Sequence, residues 1–282
     1  MKFKTLAAAS LALATAAPAF AVDFGYTVAT DNFLYEINLT TGIATRVGLV
    51  AVGLGQVEGL AFVSPGVLIG IGLETPQSPF AQIWNLSSPP GSVIVQTTVA
   101  AGDENGLAAY QGQAYPVTST LFQNTLFSVD LNTALTGLNE PIDFGFDDLF
   151  IDGLAINSAG TIYGSDPVTQ DSLFTIALDG TATVVGNFGL GDLQTNSGLD
   201  FNSQQVLYML LANGNLYTVS TADGVASAAI PVTFNGNPLF NLGGFAIGDI
   251  NAAAVVSVPE PTTVTLGLLG LTALTLLRRE RR

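Results

Sequence analysis

Five positions along the chain carry an acidic, small polar or glycine residue directly before a Gly-Leu or Gly-Phe pair. In chain order they are Glu58, Asn105, Asp152, Ser197 and Gly243. Glu58, Asn105 and Asp152 offer carboxylate and amide oxygens, and a hard cation such as calcium takes about six to eight oxygen ligands of this kind. We therefore treat these three residues as a candidate metal site. The alternative is that Asx and Ser residues recur here only because they favour turns.

The pairs that follow these positions mark an internal repeat. They begin at Gly59, Gly106, Gly153, Gly198 and Gly244, so successive copies lie 47, 47, 45 and 46 residues apart. Within a copy, as in residues 152–186, apolar residues alternate with small polar ones between Gly-containing turns, which predicts four antiparallel strands. A four-stranded unit that recurs about every 40–50 residues predicts a β-propeller blade. A twisted β-sandwich with the same strand spacing is the competing architecture.

The third strand of each copy repeats in step with the glycines. It carries an aliphatic–aromatic pair at Leu34-Tyr35, Ile83-Trp84, Leu126-Phe127, Leu173-Phe174 and Leu216-Tyr217. Five such strands predict five blades. We expect the aromatic rings to pack between blades, and not to form a platform on which sugars stack.

The two ends of the repeat region are expected to share one blade. The first strand, residues 26–30, matches the second strand of a blade, and residues 244–247 match a first strand. Pairing them would close the ring without an exposed sheet edge. The sequence thus predicts an all-β propeller domain over residues 22–250, closed by its N- and C-terminal strands.

Composition excludes several classes of function. The chain has no Cys and no His, which rules out disulfides, Cys-based zinc sites and Ser–His or Cys–His catalysis. Between residues 22 and 258 there are twenty acidic residues and a single basic one, Arg46, for a net charge of about −19. Such a field repels nucleic acid and attracts cations or cationic partners, so we expect no nucleic-acid partner. A solubilising acidic surface is the simpler interpretation of this charge.

The N-terminus is typical of a secretory signal peptide. Lys2 and Lys4 precede a short apolar run that ends at Ala19-Phe20-Ala21, a small-x-small cleavage site. We predict that residues 1–21 are a signal peptide cleaved after Ala21.

The C-terminus has three parts. A small-residue linker over residues 251–257 precedes Val258-Pro259-Glu260-Pro261, an apolar run over residues 264–277 follows, and the chain ends in four arginines, Arg278, Arg279, Arg281 and Arg282. The apolar run predicts a transmembrane helix, and the arginines are expected to stop transfer and stay cytoplasmic.

Motif, order and terminal position of residues 258–282 together resemble the PEP-CTERM sorting signal. The resemblance implies a Gram-negative bacterium, an exosortase-type processing enzyme as partner, and a transient association with the inner membrane. It further implies export to the cell envelope or the extracellular space, where such proteins are associated with polysaccharide or matrix components. A plain C-terminal membrane anchor is the alternative.

Three functions are compatible with these features. The expected one is an exported, non-enzymatic binding module for a polysaccharide or matrix partner. The second is a calcium-dependent hydrolase, because Glu58, Asn105 and Asp152 look similar in type and inferred position to the channel metal site of lactonase-type propellers, which would also serve an esterase-like activity. The third is a purely structural surface protein. The leucines after the marker glycines discriminate between an enzyme and a binding module, since apolar side chains that fill the channel argue against an enzyme. They are Leu60, Leu107, Leu154 and Leu199.

Overall fold

A computed structural model describes residues 23–50, 57–73, 80–87, 92–100, 104–120, 123–133, 135–143, 150–191 and 195–251. The predicted signal peptide at residues 1–21 and the predicted sorting segment at residues 258–282 lie outside these ranges. These ranges contain no helix, and so none long and apolar enough to cross a membrane.

The described residues form short β-strands throughout. In chain order these are β1 (Phe24–Ala29), β2 (Phe33–Asn38), β3 (Ile43–Leu49), β4 (Val57–Ser64), β5 (Val67–Leu73), β6 (Phe80–Asn85), β7 (Ser92–Ala100), β8 (Glu104–Tyr110), β9 (Gln113–Thr120), β10 (Gln123–Asp130), β11 (Thr136–Ile142), β12 (Gly153–Ile156), β13 (Ile162–Asp166), β14 (Ser172–Ile176), β15 (Ala182–Asn187), β16 (Ser197–Phe201), β17 (Leu207–Leu211), β18 (Asn215–Val219), β19 (Ile230–Pro231), β20 (Thr233–Phe234), β21 (Asn237–Pro238) and β22 (Leu242–Gly248).

These strands build five sheets arranged as a five-bladed β-propeller. Blade 1 contains β22-β1-β2-β3, blade 2 β4 to β7, blade 3 β8 to β11, blade 4 β12 to β15 and blade 5 β16 to β19. The innermost strands β22, β4, β8, β12 and β16 pack against one another around the axis. The prediction of an all-β propeller with four-stranded antiparallel blades is confirmed.

Blade 1 joins the two ends of the described chain. Strand β22 pairs antiparallel with β1, with Phe24 opposite Gly248 and Val28 opposite Gly243. The Thr27 hydroxyl donates a buried hydrogen bond of 3.0 Å to the Gly244 carbonyl. The ring is therefore closed as the sequence predicted, although β1 begins two residues earlier than the expected strand.

The third-strand pairs pack between blades. Leu34 of blade 1 and Trp84 of blade 2 belong to one buried cluster, and Leu173 of blade 4 and Tyr217 of blade 5 to another. Trp84 is fully buried. The aliphatic member of one blade thus meets the aromatic member of the next, which explains why the two residue types recur side by side.

The marker glycines let the innermost strands approach closely. A Cβ atom on Gly59 would lie 2.7 Å from the Leu107 backbone nitrogen, and one on Gly198 would lie 2.5 Å from both the backbone nitrogen and Cβ of Phe245. Because these neighbours are backbone and Cβ atoms, no rotamer change relieves the contact. Each repeat therefore needs glycine at this position so that its inner strand can lie against the next blade.

Two parallel bridges join neighbouring blades at the outer rim. Thr233 of the β20–β21 hairpin pairs with Ile43 of blade 1, and Asp143 after blade 3 pairs with Thr181 of blade 4. The Thr233 amide donates to the Gly42 carbonyl at 2.9 Å, and the Asp143 amide donates to the Gly180 carbonyl at 3.0 Å. The hairpin extends blade 1 to six strands.

Candidate ligand-binding recess at the channel mouth

A polar recess of about 300 Å³ opens at the end of the propeller where the innermost strands begin. We call it the channel-mouth recess. All five positions singled out in the sequence line it, together with residues of the adjoining loops; its wall consists of Thr30, Glu58, Asn105, Asp152, Thr195, Asn196, Ser197, Ala212, Asn241, Leu242, Gly243 and Gly244. Equivalent positions of a cyclic repeat fall on one ring, which is why residues about 47 positions apart meet here.

Asn105 and Glu58 are in direct contact within this recess. The Asn105 side-chain amide donates to Glu58 Oε2, which joins blade 3 to blade 2. Asn105 is only 1% exposed, and its Oδ1 atom is buried and accepts no hydrogen bond from the described residues. A buried carbonyl oxygen without a donor is destabilising unless a ligand supplies the partner.

Asp152 and Ser197 continue the ring on blades 4 and 5. Asp152 is 3% exposed, and its backbone amide donates to the Ser165 carbonyl at 3.1 Å. The Ser197 hydroxyl shares a 2.7 Å hydrogen bond with the Ser165 hydroxyl, so it is already engaged in joining blade 5 to blade 4. The oxygens that face the recess at these five positions therefore come chiefly from Glu58, Asn105 and Asp152.

The marker leucines close the space next to the recess. They belong to the clusters between blades, and together with Phe245 they line a space too narrow to hold a water molecule. The recess is thus shallow, and any ligand would be held at the mouth and not along the channel.

The donor set of the recess is compatible with a hard cation. Two carboxylates and one amide oxygen are the groups that calcium prefers, and the unsatisfied Asn105 Oδ1 supplies a ready ligand. Among the described residues, no group of three or more His, Cys, Asp or Glu side chains is placed to hold a metal. A cation here would therefore depend on Asn105 and on backbone or water oxygens. Arg46 is not among the lining residues, and its guanidinium lies 4.3 Å from the ring centre of Phe33.

Sequence reasoning missed some of the lining residues and one partly buried carboxylate, Asp200. Thr195 and Asn241 reach the recess from the loops that join the blades, and Thr30 reaches it from the turn between β1 and β2. The spacing could have found two of them, since Thr195 and Asn241 each lie three residues before a marker glycine. Asp200 follows the marker pair Gly198-Leu199, where the other four copies have Ala61, Ala108, Ala155 and Ala246. That departure from the repeat was the signal that could have identified Asp200.

Asp200 joins blade 5 to the strand that closes the ring. Its Oδ2 accepts a 2.7 Å hydrogen bond from the Ile247 amide of β22, and its Oδ1 accepts from the Phe201 amide at 2.8 Å. Burial raises the pKa of Asp200 to about 7, and the two backbone donors only partly oppose this effect.

The raised pKa predicts that stability falls as the pH rises from about 5 to about 7. In this window the folded protein holds a proton on Asp200 that the unfolded chain has already released, so the free energy of unfolding decreases with pH by an amount on the order of 2 kcal/mol. Thermal unfolding followed by circular dichroism between pH 5 and pH 8 measures this slope. The Asp200→Asn variant should flatten it.

Asp179→Asn is the matched control for that experiment. Asp179 is exposed and accepts from the Thr181 amide, which lowers its pKa, so it titrates below the window. An Asp179→Asn variant should keep the wild-type slope. If Asp200→Asn keeps it as well, the pH dependence arises from other groups.

Comparisons with known proteins identify the C-terminus and the fold. Residues 257–282 match the PEP-CTERM protein-sorting motif, one residue longer than predicted. The chain therefore carries this sorting signal, which is recognised by an exosortase and implies export with membrane-anchored transit through the C-terminal segment. No curated protein matches the chain.

Solved structures with similar architecture have little sequence in common with the chain. A nidogen/laminin complex structure aligns with a TM-score of 0.51 at 9% identity, covering 80% of this chain and 98% of that one. A protein of unknown function from Bacteroides thetaiotaomicron aligns at 0.46 and 11% identity, covering 73% and 49%. A luciferin-regenerating enzyme aligns at 0.42 and 11% identity, covering 75% and 76%. At 9% identity the likeness to the nidogen/laminin complex structure bears on the fold alone.

Proposed function

We propose that this exported, exosortase-sorted propeller is a non-enzymatic binding module of the cell envelope or extracellular matrix, and that the channel-mouth recess is its binding site. The observation that carries the proposal is the buried Asn105 Oδ1, which accepts no hydrogen bond from the part of the chain that the structure describes and lies in a recess with Glu58 and Asp152. Its expected partner is a matrix polysaccharide.

Calcium is the cation that best suits this role. Glu58, Asn105 and Asp152 would hold the ion, and the ion would contribute open coordination positions for oxygen ligands of the partner. The propeller carries a large negative charge and repels an acidic polysaccharide on its own. A bound divalent cation offsets that repulsion locally, so polysaccharide hydroxyl or carboxylate groups can approach the recess.

Titration calorimetry of calcium chloride tests the proposal. The full-length chain, purified in detergent and freed of metal with a chelator, is expected to bind one ion at the mouth, with a Kd on the order of 10⁻⁴ M as in extracellular calcium modules. Glu58→Gln/Asp152→Asn should weaken this binding at least about tenfold, because each change removes a charged ligand.

A double variant on the protein surface provides the control. Asp130 is the half-buried last residue of strand β10 and Asp223 lies in an exposed turn, and Asp130→Asn/Asp223→Asn removes the same net charge outside the recess. This variant should bind calcium like the wild type. Weak heat from many sites that is equal in all three proteins would instead leave the recess without a cation and favour a purely structural surface protein.

The calcium-dependent hydrolase remains the second candidate, because the same recess supports it. A volume of about 300 Å³ is at the lower end of small-molecule sites, and two carboxylates face it. The binding proposal expects no turnover of simple lactones or esters by the calcium-loaded chain. Calcium-dependent lactone hydrolysis that Glu58→Gln/Asp152→Asn abolishes would assign the recess to catalysis.

A further inference from the structure

Both ends of the described chain lie at one face of the propeller, opposite the recess. Phe24 at the start of β1 pairs with Gly248 at the end of β22. Asp23 accepts a 3.1 Å hydrogen bond from the Ser203 hydroxyl in the β16–β17 turn, and the Gly66 amide of the β4–β5 turn donates to the Asp249 carbonyl at 3.1 Å. We call this side the exit face, formed by residues 23, 64–66, 157–160, 202–205 and 249–251.

Strand β22 separates the exit face from the recess. Its first residues, Leu242 and Gly243, line the recess, and its last residue, Gly248, lies at the exit face. Seven residues in a strand span about 20 Å, at about 3.3 Å for each of the steps between them. The chain therefore leaves the propeller at the end of the inner strand that is remote from the ligand site.

The distance from the propeller to the sorting motif is short. The described chain ends at Asn251 and the motif begins at residue 257, so the connection reaches at most about 20 Å even when fully extended. The connection cannot pass between blades, because the buried clusters fill that space. To pass around blade 1 it would have to cross six strands about 4.8 Å apart, which is about 24 Å outward before it could turn toward the recess. The connection cannot bring the motif to the recess side.

We propose that the exit face is the membrane-facing surface of the anchored protein, and that the channel-mouth recess opens away from the membrane. The point at which the C-terminal segment leaves the propeller sets this orientation. Attraction between the exit face and lipid headgroups does not set it, since Asp23 and Asp249 give this face negative charge. The partner of the exit face is thus the lipid surface, held about 45 Å away or less by the thirteen residue steps from Asn251 to the apolar run that begins at residue 264. Ligand binding at the recess and anchoring through the tail can then occur in the same molecule.

Energy transfer from single labels to a lipid-headgroup acceptor tests this orientation. The chain has no cysteine, so one introduced cysteine gives one labelled position. Ala159→Cys places a dye in an exposed turn of the exit face, Thr30→Cys places one at the exposed rim of the recess, and Val184→Cys places one halfway, on the outer strand β15. The full-length labelled chains are reconstituted in vesicles that carry the acceptor lipid.

Donor quenching is expected to decrease in the order 159, 184, 30, with position 159 quenched about twofold more strongly than position 30 because the inner strand separates them by about 20 Å. Emission of Trp84, the one tryptophan, confirms that each variant is folded. Equal quenching at all three positions, or stronger quenching at position 30, would overturn the proposal. These measurements do not involve calcium, so their outcome is independent of the calorimetric test of the recess.

Discussion

Replacing Gly198 with valine is expected to prevent the propeller from folding, and replacing it with alanine should lower the free energy of unfolding by about 3 kcal/mol. A Cβ atom at residue 198 would lie 2.5 Å from Phe245 N and Cβ and 2.8 Å from the Gly244 carbonyl carbon. All three neighbours are on the closing strand, so the collision separates blade 5 from blade 1. Urea unfolding monitored by Trp84 emission measures the loss.

Gly48 provides the matched control for this change. It lies in strand β3, and a Cβ atom there would meet no atom within 4 Å. Gly48→Val should therefore leave the free energy of unfolding within about 0.5 kcal/mol of the wild-type value. If Gly198→Val folds as well as Gly48→Val does, close contact between inner strands does not explain the recurring glycine.

The Trp84→Ala variant is expected to lose about 4 kcal/mol of stability. Trp84 is fully buried in the cluster between blades 1 and 2, and its indole N–H donates to Gln82 Oε1 at 3.1 Å. Removing the ring leaves a cavity between two blades that the rigid neighbouring sheets cannot fill. Urea unfolding followed by circular dichroism measures the loss, since the variant has no tryptophan.

Trp84→Phe separates the cavity from the hydrogen bond. It keeps most of the apolar contact, so it should lose less than half of what Trp84→Ala loses. A loss below about 1 kcal/mol for Trp84→Ala would contradict the packing described for this interface.

The fold was predictable because its determinants recur. The glycine of each Gly-Leu pair is required because the inner strands lie close together, and the third-strand pairs recur because they pack between neighbouring blades. The same contacts therefore account for the pattern in every repeat. The match between residues 26–30 and a second strand was enough to predict the closing of the ring. The β20–β21 hairpin was not predictable, because within the described ranges it occurs once and has no counterpart in another repeat.

The site was predictable in its position and less so in its chemistry. Equivalent residues of a ring must converge, so Glu58, Asn105 and Asp152 could be placed together from their spacing. Which atoms bond was not accessible from the sequence, because the contact between Asn105 and Glu58 depends on side-chain rotamers. The role of Asp200 depends equally on its distance to the Ile247 amide, which no local pattern encodes.

The closing strand β22 comes last among the strands of the described chain, and the sorting motif follows it after residues 249–256. A polypeptide that is interrupted before residue 242 lacks both the strand that completes blade 1 and the signal for envelope sorting. A polypeptide that is cut beyond residue 251 keeps every strand described here, so tail processing can release the domain without opening it. The order of the chain thus means that every molecule that carries the sorting signal also contains the strand that closes the ring.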